Sequence, residues 1–279
     1  MERTEAMGTL LRKSVYNLFM LVIGIIMVVP FVFMISASLK APADVFVNPM
    51  QIIPENIYTL NYETIFNHKY YFQWYWNSFS TVVLTVIFRG FFVTMAAYAF
   101  ARLSFPGKNI LFLFLLSAMM IPHDTTIVAK FMLYKYMGLI NTHWVIILPA
   151  AFDVFFIFLL RQFFMGIPKD LTESSLIDGA SHFGIYFKII LPLAVPALIT
   201  MGLFTFIWTW NDFITPFIFI NDIDKQLVTV GLEYFQLEAG KNYALQMAGA
   251  CLIVVVPIII FAVLQKYFVQ GIAMSGIKG

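Results

Sequence analysis

The sequence predicts an all-α integral membrane protein with six transmembrane helices, and two features support that class. Of the 279 residues, 61% are hydrophobic and only 11% are charged, whereas a soluble domain carries about 25% charged residues. The hydrophobic residues also gather into long runs of the roughly 20 residues that a helix needs to cross a bilayer. The formal net charge of +2 identifies no class of partner.

Six apolar runs define the expected spans. The first, 14–39, contains no charged residue, and Pro30 should kink it. It follows a basic N-terminal stretch and precedes no small-residue cleavage pattern, so we expect a retained span rather than a signal peptide. The other spans are expected at about 77–101, 109–133, 142–164, 186–220 and 243–269.

The distribution of lysine and arginine sets the expected orientation, because these residues are enriched in cytoplasmic loops. With the N-terminus inside, the cytoplasmic side receives Arg3, Arg12, Lys13, Arg102, Lys108, Arg161, Lys169, Lys188, Lys266 and Lys278. The outer side receives only Lys40, Lys69, Lys130, Lys135, Lys225 and Lys241. The predicted division is therefore a cytoplasmic N-terminus (1–13), a first transmembrane helix (14–39), an extracytoplasmic loop (40–72), a five-helix core (73–269) and a cytoplasmic tail (270–279).

A short polar segment separates the fourth and fifth predicted spans. Asp170 is a candidate N-cap, with Glu173 three residues later completing a capping box, and Gly179 would end the helix. One interpretation is an amphipathic helix lying flat at the lipid headgroups. Because the helix is short and its apolar stripe is narrow, we favour a contact with a partner outside the lipid.

The same segment resembles a known motif. Residues 173–180 read Glu-Ser-Ser-Leu-Ile-Asp-Gly-Ala, and 189–192 read Ile-Ile-Leu-Pro. This resembles the cytoplasmic coupling motif of ABC-importer permease subunits, which is Glu-Ala-Ala, three residues, Gly, nine residues and Ile-x-Leu-Pro. The resemblance implies a type I ABC importer permease fold with a coupling helix at 168–182. The expected ATPase-coupling residues are Asp170, Glu173, Ser174, Ser175, Leu176, Asp178, Gly179 and Ala180.

Further stretches are similar to carbohydrate-uptake permeases. Residues 96–102 read Ala-Ala-Tyr-Ala-Phe-Ala-Arg, and 267–271 fit the Tyr-Phe-Val-x-Gly tail of the second permease in maltose-type systems. The resemblance implies ATP-driven import of a sugar or oligosaccharide across a bacterial cytoplasmic membrane. Implied partners are a homologous second permease, an ATPase dimer that binds ATP and Mg, and an extracytoplasmic solute-binding protein. No nucleic-acid partner is expected.

The sequence lacks motifs for several other chemistries. It has no Gly-x-x-x-x-Gly-Lys-Ser/Thr loop for nucleotide and no His-Glu-x-x-His for metal, so we expect neither an enzyme nor a cofactor site. Cys251 is the single cysteine, which excludes an intramolecular disulfide. The aromatic residues at 70–76 are interpreted as an interfacial belt, with a sugar-stacking platform as the alternative.

Ionisable residues inside the predicted spans need an explanation, since each costs about 2.5–3.5 kcal/mol at a helix centre on insertion scales. One interpretation is mutual neutralisation, with Arg89 held by Asp153 or Asp124. Another is a translocation path whose polar groups bind sugar hydroxyls, in which Arg89 would also suit a sugar carboxylate. A third is an ion-driven secondary transporter, although no inverted repeat is visible. The candidate path residues are Arg89, Asp124, Asp153, Trp210, Asn211 and Asp212.

The end of the fifth predicted span shows a further local signal. Asn211 and Asp212 follow Trp210 directly, and Pro216 comes soon after. Polar residues beside a proline predict a locally unwound helix, which is tolerated at membrane depth where it lines a cavity.

Overall fold

A computed structural model describes residues 2–49, 51–239 and 241–276, without the side chains of 2–11, 123–124, 236–239 and 266–276. All regular structure in these ranges is helical. The first seven α-helices are α1 (Glu2–Ser38), α2 (Leu60–Asn67), α3 (Tyr71–Arg102), α4 (Lys108–Ala118), α5 (Ile127–Tyr136), α6 (Trp144–Ala151) and α7 (Val154–Gly166). The others are α8 (Asp170–Ile177), α9 (His182–Ile185), α10 (Leu191–Leu193), α11 (Val195–Trp210), α12 (Ile214–Phe219), α13 (Val228–Ala239) and α14 (Tyr243–Gly276).

Four stretches of helix are long and apolar enough to cross a membrane. They are Arg12–Ser38, Tyr71–Arg102, Trp144–Gly166 and Tyr243–Gln265. A fifth is formed if His182–Leu193 and Val195–Trp210, which bend by 77° at their junction, count as one span. The third predicted span is divided into α4 and α5 around a 3₁₀ turn, His123–Thr126. The all-helical membrane fold is therefore confirmed with four to five candidate spans.

The structure adds breaks and helices inside several predicted segments. The predicted fourth span matches the candidate span Trp144–Gly166, although a break divides it into α6, which ends at Ala151, and α7, which begins at Val154. The predicted loop between the last two spans is largely helical, because α13 occupies Val228–Ala239. The predicted first loop contains α2. By contrast, the predicted break in the fifth span is confirmed, because α11 ends at Trp210 and α12 begins only at Ile214.

The chain divides into two compact units, of which the first comprises Met1–Lys69 and Leu232–Val255. Asn61 on α2 fastens the end of α1, because its side-chain amide donates to the carbonyl oxygens of Ser38 (2.9 Å) and Lys40 (3.0 Å). The apolar window of the first span has none of its residues buried within the chain. That surface suits lipid or another subunit rather than water.

The second unit comprises Tyr70–Gly231 and Val256–Gly279, and α3 is its central helix. Helices α6, α7 and α11 all pack against α3. The main core joins α3, α7 and the start of the fifth span through Val93, Ala97, Tyr98, Phe156, Leu160, Phe164, Ile185, Tyr186 and Ile190. The helix that carries Arg89 is therefore also the helix around which this unit is built.

The aromatic residues at 70–76 do not form a uniform interfacial belt. Trp74 is fully buried, and its indole N–H donates to the carbonyl oxygen of Ile223 at 2.6 Å. Phe72 and Trp76 are each 66% exposed. The interpretation as a belt is therefore wrong for Trp74, which is a core residue, because alternate faces of α3 point inward and outward.

The close approach of α13 to Trp74 gives a first prediction. A Cβ added at Gly231 would lie 2.2 Å from Cε3 of the Trp74 ring, so Gly231→Ala should destabilise the purified chain by about 1–3 kcal/mol through overpacking. Thermal unfolding in detergent would measure this. Gly202→Ala on α11 is the matched control, because its added Cβ meets no described atom within 4 Å apart from the neighbouring backbone of its own helix. Equal melting temperatures for the two variants would contradict the prediction.

Candidate functional site

A cavity of about 780 Å³ lies within the second unit, bounded by α3, α5, α6, α7, α11 and α12. Its lining combines apolar residues with groups that donate and accept hydrogen bonds. The polar and aromatic lining residues include Arg89, Lys130, Tyr134, Asp153, Phe155, Trp208, Thr209, Asp212, Thr215 and Phe219. Its volume and mixed lining are typical of a small-molecule site.

Arg89 lines this cavity and is only 4% exposed. Its Nη2 lies 3.1 Å from Oδ2 of Asp153, Nε donates to the Ala150 carbonyl oxygen at 2.7 Å, and Nη1 donates to Oγ1 of Thr205 at 2.9 Å. All three guanidinium nitrogens are thus engaged by the chain itself. The predicted neutralisation of Arg89 by Asp153 is confirmed.

Asp153 has a second role that the apolar pattern did not reveal. It is the N-cap of α7, and its Oδ1 accepts hydrogen bonds from the backbone N–H groups of Phe155 (2.9 Å) and Phe156 (3.4 Å). A carboxylate at a helix N-terminus satisfies free backbone donors and complements the helix dipole. The break between α6 and α7 is therefore stabilised by the same carboxylate that neutralises Arg89.

The unwound segment after α11 brings Asp212 to the cavity. Its Oδ1 accepts from the backbone N–H of Thr215 at 3.1 Å, and the side chain lines the cavity wall. Its backbone carbonyl oxygen accepts from Oγ1 of Thr229 at 2.7 Å. That carbonyl is satisfied by the chain rather than offered to the cavity.

The other predicted path residues differ in their placement. Trp210 is 1% exposed, stacks on Phe206 with ring centroids 5.7 Å apart and does not line the cavity, so it is packed in the core. Asn211 donates to the Ile207 carbonyl oxygen at 2.8 Å and does not line the cavity. The side chain of Asp124 lies outside the described residues. The cavity wall instead includes Trp208, which is 46% exposed.

The predicted coupling helix exists as α8, but its start differs from the prediction. Asp170 is the first helical residue, Lys169 occupies the N-cap position, and no side chain caps the helix there. The predicted capping box is therefore wrong. Asp170 and Glu173 still lie in the first turn, where their negative charges complement the helix dipole.

Two serines of α8 take the place of the two alanines in the motif. Ser174 donates its hydroxyl to the Asp170 carbonyl oxygen, and Ser175 donates to that of Leu171, both at 2.7 Å. Each hydroxyl is folded back on the preceding turn, as serine commonly does inside helices. The side chains at both positions are therefore small and project little more than alanine would.

Gly179 ends the helical segment as predicted. Its φ is +81°, and the backbone N–H groups of Gly179 and Ala180 donate to the carbonyl oxygens of Leu176 (3.1 Å) and Ser175 (2.9 Å). These two bonds form a Schellman motif, which turns the chain sharply at a helix C-terminus. The left-handed φ explains the glycine.

The exposed surface of α8 carries apolar side chains beside the charged Asp170 and Glu173. Ile177 is 86% exposed, Leu171 and Leu176 are each 41% exposed, and Phe183 beyond the turn is 63% exposed. Large exposed apolar side chains are a feature of interaction surfaces. The geometry thus offers a short helix with a protruding apolar tip.

Comparison with solved structures agrees with this fold. A crystal structure described as a bacterial ABC transporter involved in the import of the acidic polysaccharide alginate contains a chain that superposes with a TM-score of 0.77. The match covers 91% of this chain and 95% of that chain at 24% identity. The likeness shows the permease fold.

Sequence relatives cover nearly the whole chain. The arabinooligosaccharides transport system permease protein AraQ of Halalkalibacterium halodurans is 32% identical over 92% of this chain and 93% of its own length. The galactooligosaccharides transport system permease protein GanQ of Bacillus subtilis is 33% identical over 92% of each chain. Both are permease proteins rather than ATPases.

A family model described as the inner membrane component of binding-protein-dependent transport systems matches residues 93–274. That range includes α7, α8, Gly179 and the helix break at Asn211. Together with the relatives, it settles the class of protein: the chain belongs to the family of binding-protein-dependent transport system inner membrane components, as the permease subunit of an ABC transporter.

Proposed function

We propose that this permease carries a sugar or oligosaccharide inward across a bacterial cytoplasmic membrane, using ATP hydrolysed by separate subunits. The observation that carries the proposal is α8, an exposed helix with an apolar tip and the spacing of the coupling motif, set between two membrane spans. The relatives named for arabino- and galacto-oligosaccharide transport support a carbohydrate substrate. Membership of this family disfavours the ion-driven alternative.

The proposed assembly has four kinds of component. This chain would contribute six spans with both termini in the cytoplasm and pair with a homologous second permease. An ATPase dimer would hold ATP and Mg and grip α8, and a solute-binding protein would deliver the sugar from outside. Closure of the ATPase dimer would pull α8 and switch the cavity from inward-facing to outward-facing.

The cavity supplies chemistry that suits a sugar. Asp212, Thr209 and Thr215 offer hydrogen-bonding groups along its wall, and the half-exposed Trp208 presents an aromatic surface to an apolar sugar face. Arg89 and Asp153 are already paired with each other. They therefore form part of the wall of the path and are not expected to bind a sugar carboxylate. The proposed substrate is thus a sugar bound by hydroxyl contacts and stacking.

Replacing Trp208 tests this assignment of the cavity. Trp208→Ala should lower uptake of the transported oligosaccharide by about tenfold in the reconstituted complex, because a stacking surface is removed, whereas Trp208→Phe should retain most of it. Trp76→Ala removes an equally large side chain, 66% exposed on α3 and away from the cavity, and should transport normally. Equal uptake by the Trp208→Ala and Trp76→Ala variants would remove Trp208 from the path.

Site-directed cross-linking tests the proposed function itself. Cys251 is the only cysteine, so Cys251→Ser gives a background in which a single new cysteine can be placed. A cysteine at Ile177 should capture an ATP-hydrolysing protein in native membranes, whereas one at Ile110, which is 76% exposed on α4, should not. Failure of the Ile177 position to capture an ATPase would count against ATP-driven coupling through α8.

A further inference from the structure

Both ends of the coupling segment, defined here as residues 168–185, are attached to one face of α3. At the entrance, Nη2 of Arg102 donates to the carbonyl oxygens of Phe164 (2.7 Å) and Ile167 (2.5 Å). These carbonyls lie at the C-terminus of α7, where backbone acceptors have no partner within the helix. Arg102, which belongs to α3, therefore caps the C-terminus of α7. The second of its acceptors, Ile167, lies three residues before α8 begins.

At the exit, Tyr186 makes the corresponding attachment. Its hydroxyl lies 2.6 Å from Oγ1 of Thr94, and this pair is buried. The Thr94 hydroxyl donates to the Gly90 carbonyl oxygen within α3, so the Tyr186 hydroxyl is the donor in the pair. The first residue after the coupling segment is thus hydrogen-bonded to α3.

The two attachments share one face of α3. Thr94, Tyr98 and Arg102 follow one another at intervals of four residues, which places them on the same side of a helix. Tyr98, between the two attachment points, packs against Tyr186 with ring centroids 5.3 Å apart. Ile167 and Ile185, at the two ends of the segment, belong to the same buried core. Hydrogen bonds and apolar packing therefore both attach the coupling segment to α3.

Beyond the exit, the chain is built to bend. Residues Tyr186–Ile190 form a π-helical turn, a rare geometry that is frequent at functional sites. A bend of 77° then separates the segments before and after Ala194. The coupling segment is thus fixed to α3 at both ends. The fifth span that follows it is interrupted twice, by the π-helical turn and by the bend at Ala194.

We propose that α3 and the coupling segment move as one body, and that Arg102 is the positioning residue that holds them together. On α3, Arg89 precedes Arg102 by 13 residues, or about 20 Å at 1.5 Å per residue. A pull on α8 would therefore reach the Arg89–Asp153 wall of the cavity through α3, rather than only through the bent fifth span. This inference rests on the proposed function and adds a route for the coupling motion.

The chemistry of Arg102 explains why this residue type is required. One guanidinium nitrogen carries two hydrogens in a fixed plane, and each is directed to a separate carbonyl oxygen. A lysine at this position keeps the charge but replaces the planar group with a flexible ammonium. Arg102→Lys should thus hold the segment less rigidly, and Arg102→Met should release it.

The experiment measures sugar transported per ATP hydrolysed in proteoliposomes containing the complete complex. For Arg102→Met we expect normal assembly, continued ATP hydrolysis and a roughly tenfold lower ratio, because bonds from a charged donor are lost. Arg102→Lys should fall between Arg102→Met and wild type, and Tyr186→Phe, which loses only its hydroxyl, should lower the ratio about threefold. Arg12→Met, which removes an exposed cation of α1, should leave the ratio unchanged.

Two outcomes would overturn the inference. One is an Arg102→Met complex whose ratio equals that of wild type. The other is a parallel fall of transport and hydrolysis with the ratio unchanged, which would give Arg102 a purely structural role. A wild-type complex that transports no sugar at the expense of ATP would instead contradict the proposed function, so the two failures can be told apart.

A distance measurement provides a second readout that does not depend on transport. Spin labels at Ile177 and at Phe91, which is 51% exposed on α3, can be placed as cysteines in the Cys251→Ser background. Their separation should stay constant between nucleotide states in the otherwise unaltered complex and should vary with nucleotide in Arg102→Met. A separation that already varies without the Arg102 change would overturn the inference.

Discussion

Gly179→Val should lower sugar uptake by the complex at least tenfold while the chain still inserts into the membrane. Gly179 has a φ of +81°, and a left-handed conformation costs an L-residue about 1–2 kcal/mol, with more for a β-branched side chain. The Schellman turn after α8 would open, and the apolar tip at Ile177 would change direction. Uptake into cells and the amount of chain in the membrane fraction measure the two effects separately.

Two controls separate backbone strain from loss of the surface. No atom in the described residues lies within 4 Å of a Cβ placed at Gly179, so the valine is not expected to clash within the chain. Asn tolerates the left-handed region, and Gly179→Asn should keep most uptake if only the turn matters. Gly166→Ala, where the added Cβ also has open space, should be normal. Wild-type uptake by Gly179→Val would contradict a role for this turn in coupling.

Residues with strong local preferences made much of the fold predictable. Gly179 was expected to end the coupling helix because no other residue adopts its backbone conformation as readily. The polar pair at Asn211 and Asp212 predicted the end of α11, and the cost of a buried charge predicted a partner for Arg89. In each case, one local physical requirement outweighed the surrounding sequence.

The missed features depend on tertiary contacts that hydropathy does not encode. The break between α6 and α7 falls inside the predicted fourth span, where Asp153 is the N-cap of α7. The prediction of a capping box at Asp170 was wrong because the N-cap is Lys169, one residue earlier, and Asp170 is already helical. A shift of this size at a helix end is common.

The two tryptophans of α11 show a similar limit at the candidate site. Trp208 and Trp210 are two residues apart, so they lie roughly 200° apart around a helix with 3.6 residues per turn. The sequence thus requires that they face nearly opposite sides, but not which of them faces the cavity. The packing of Phe206 and Tyr75 against Trp210 decides this and leaves Trp208 at the cavity wall.

Asp153→Asn should be the most destabilising single change at the cavity, with a loss of about 3 kcal/mol in the free energy of unfolding. Asn caps helices about as well as Asp, so the start of α7 should be kept and only the charge removed. Arg89, 4% exposed, would then be a buried charge without its counter-ion, which costs about 3–5 kcal/mol. The Asp153 side chain is 23% exposed, so we expect the lower end of that range. Thermal unfolding of the purified chain would measure it.

The double variant Arg89→Met/Asp153→Asn tests whether the loss comes from the unpaired charge. Removing both charges should recover most of the stability, since a neutral pair carries no desolvation penalty. Thr205 keeps its hydrogen bond to the Met201 carbonyl oxygen, whereas the Ala150 carbonyl oxygen loses its donor, which leaves a deficit of about 1 kcal/mol. The double-mutant cycle should therefore give a coupling of about 2 kcal/mol or more. A coupling near zero would mean that Arg89 and Asp153 stabilise the cavity independently, and the wall would not be a paired unit.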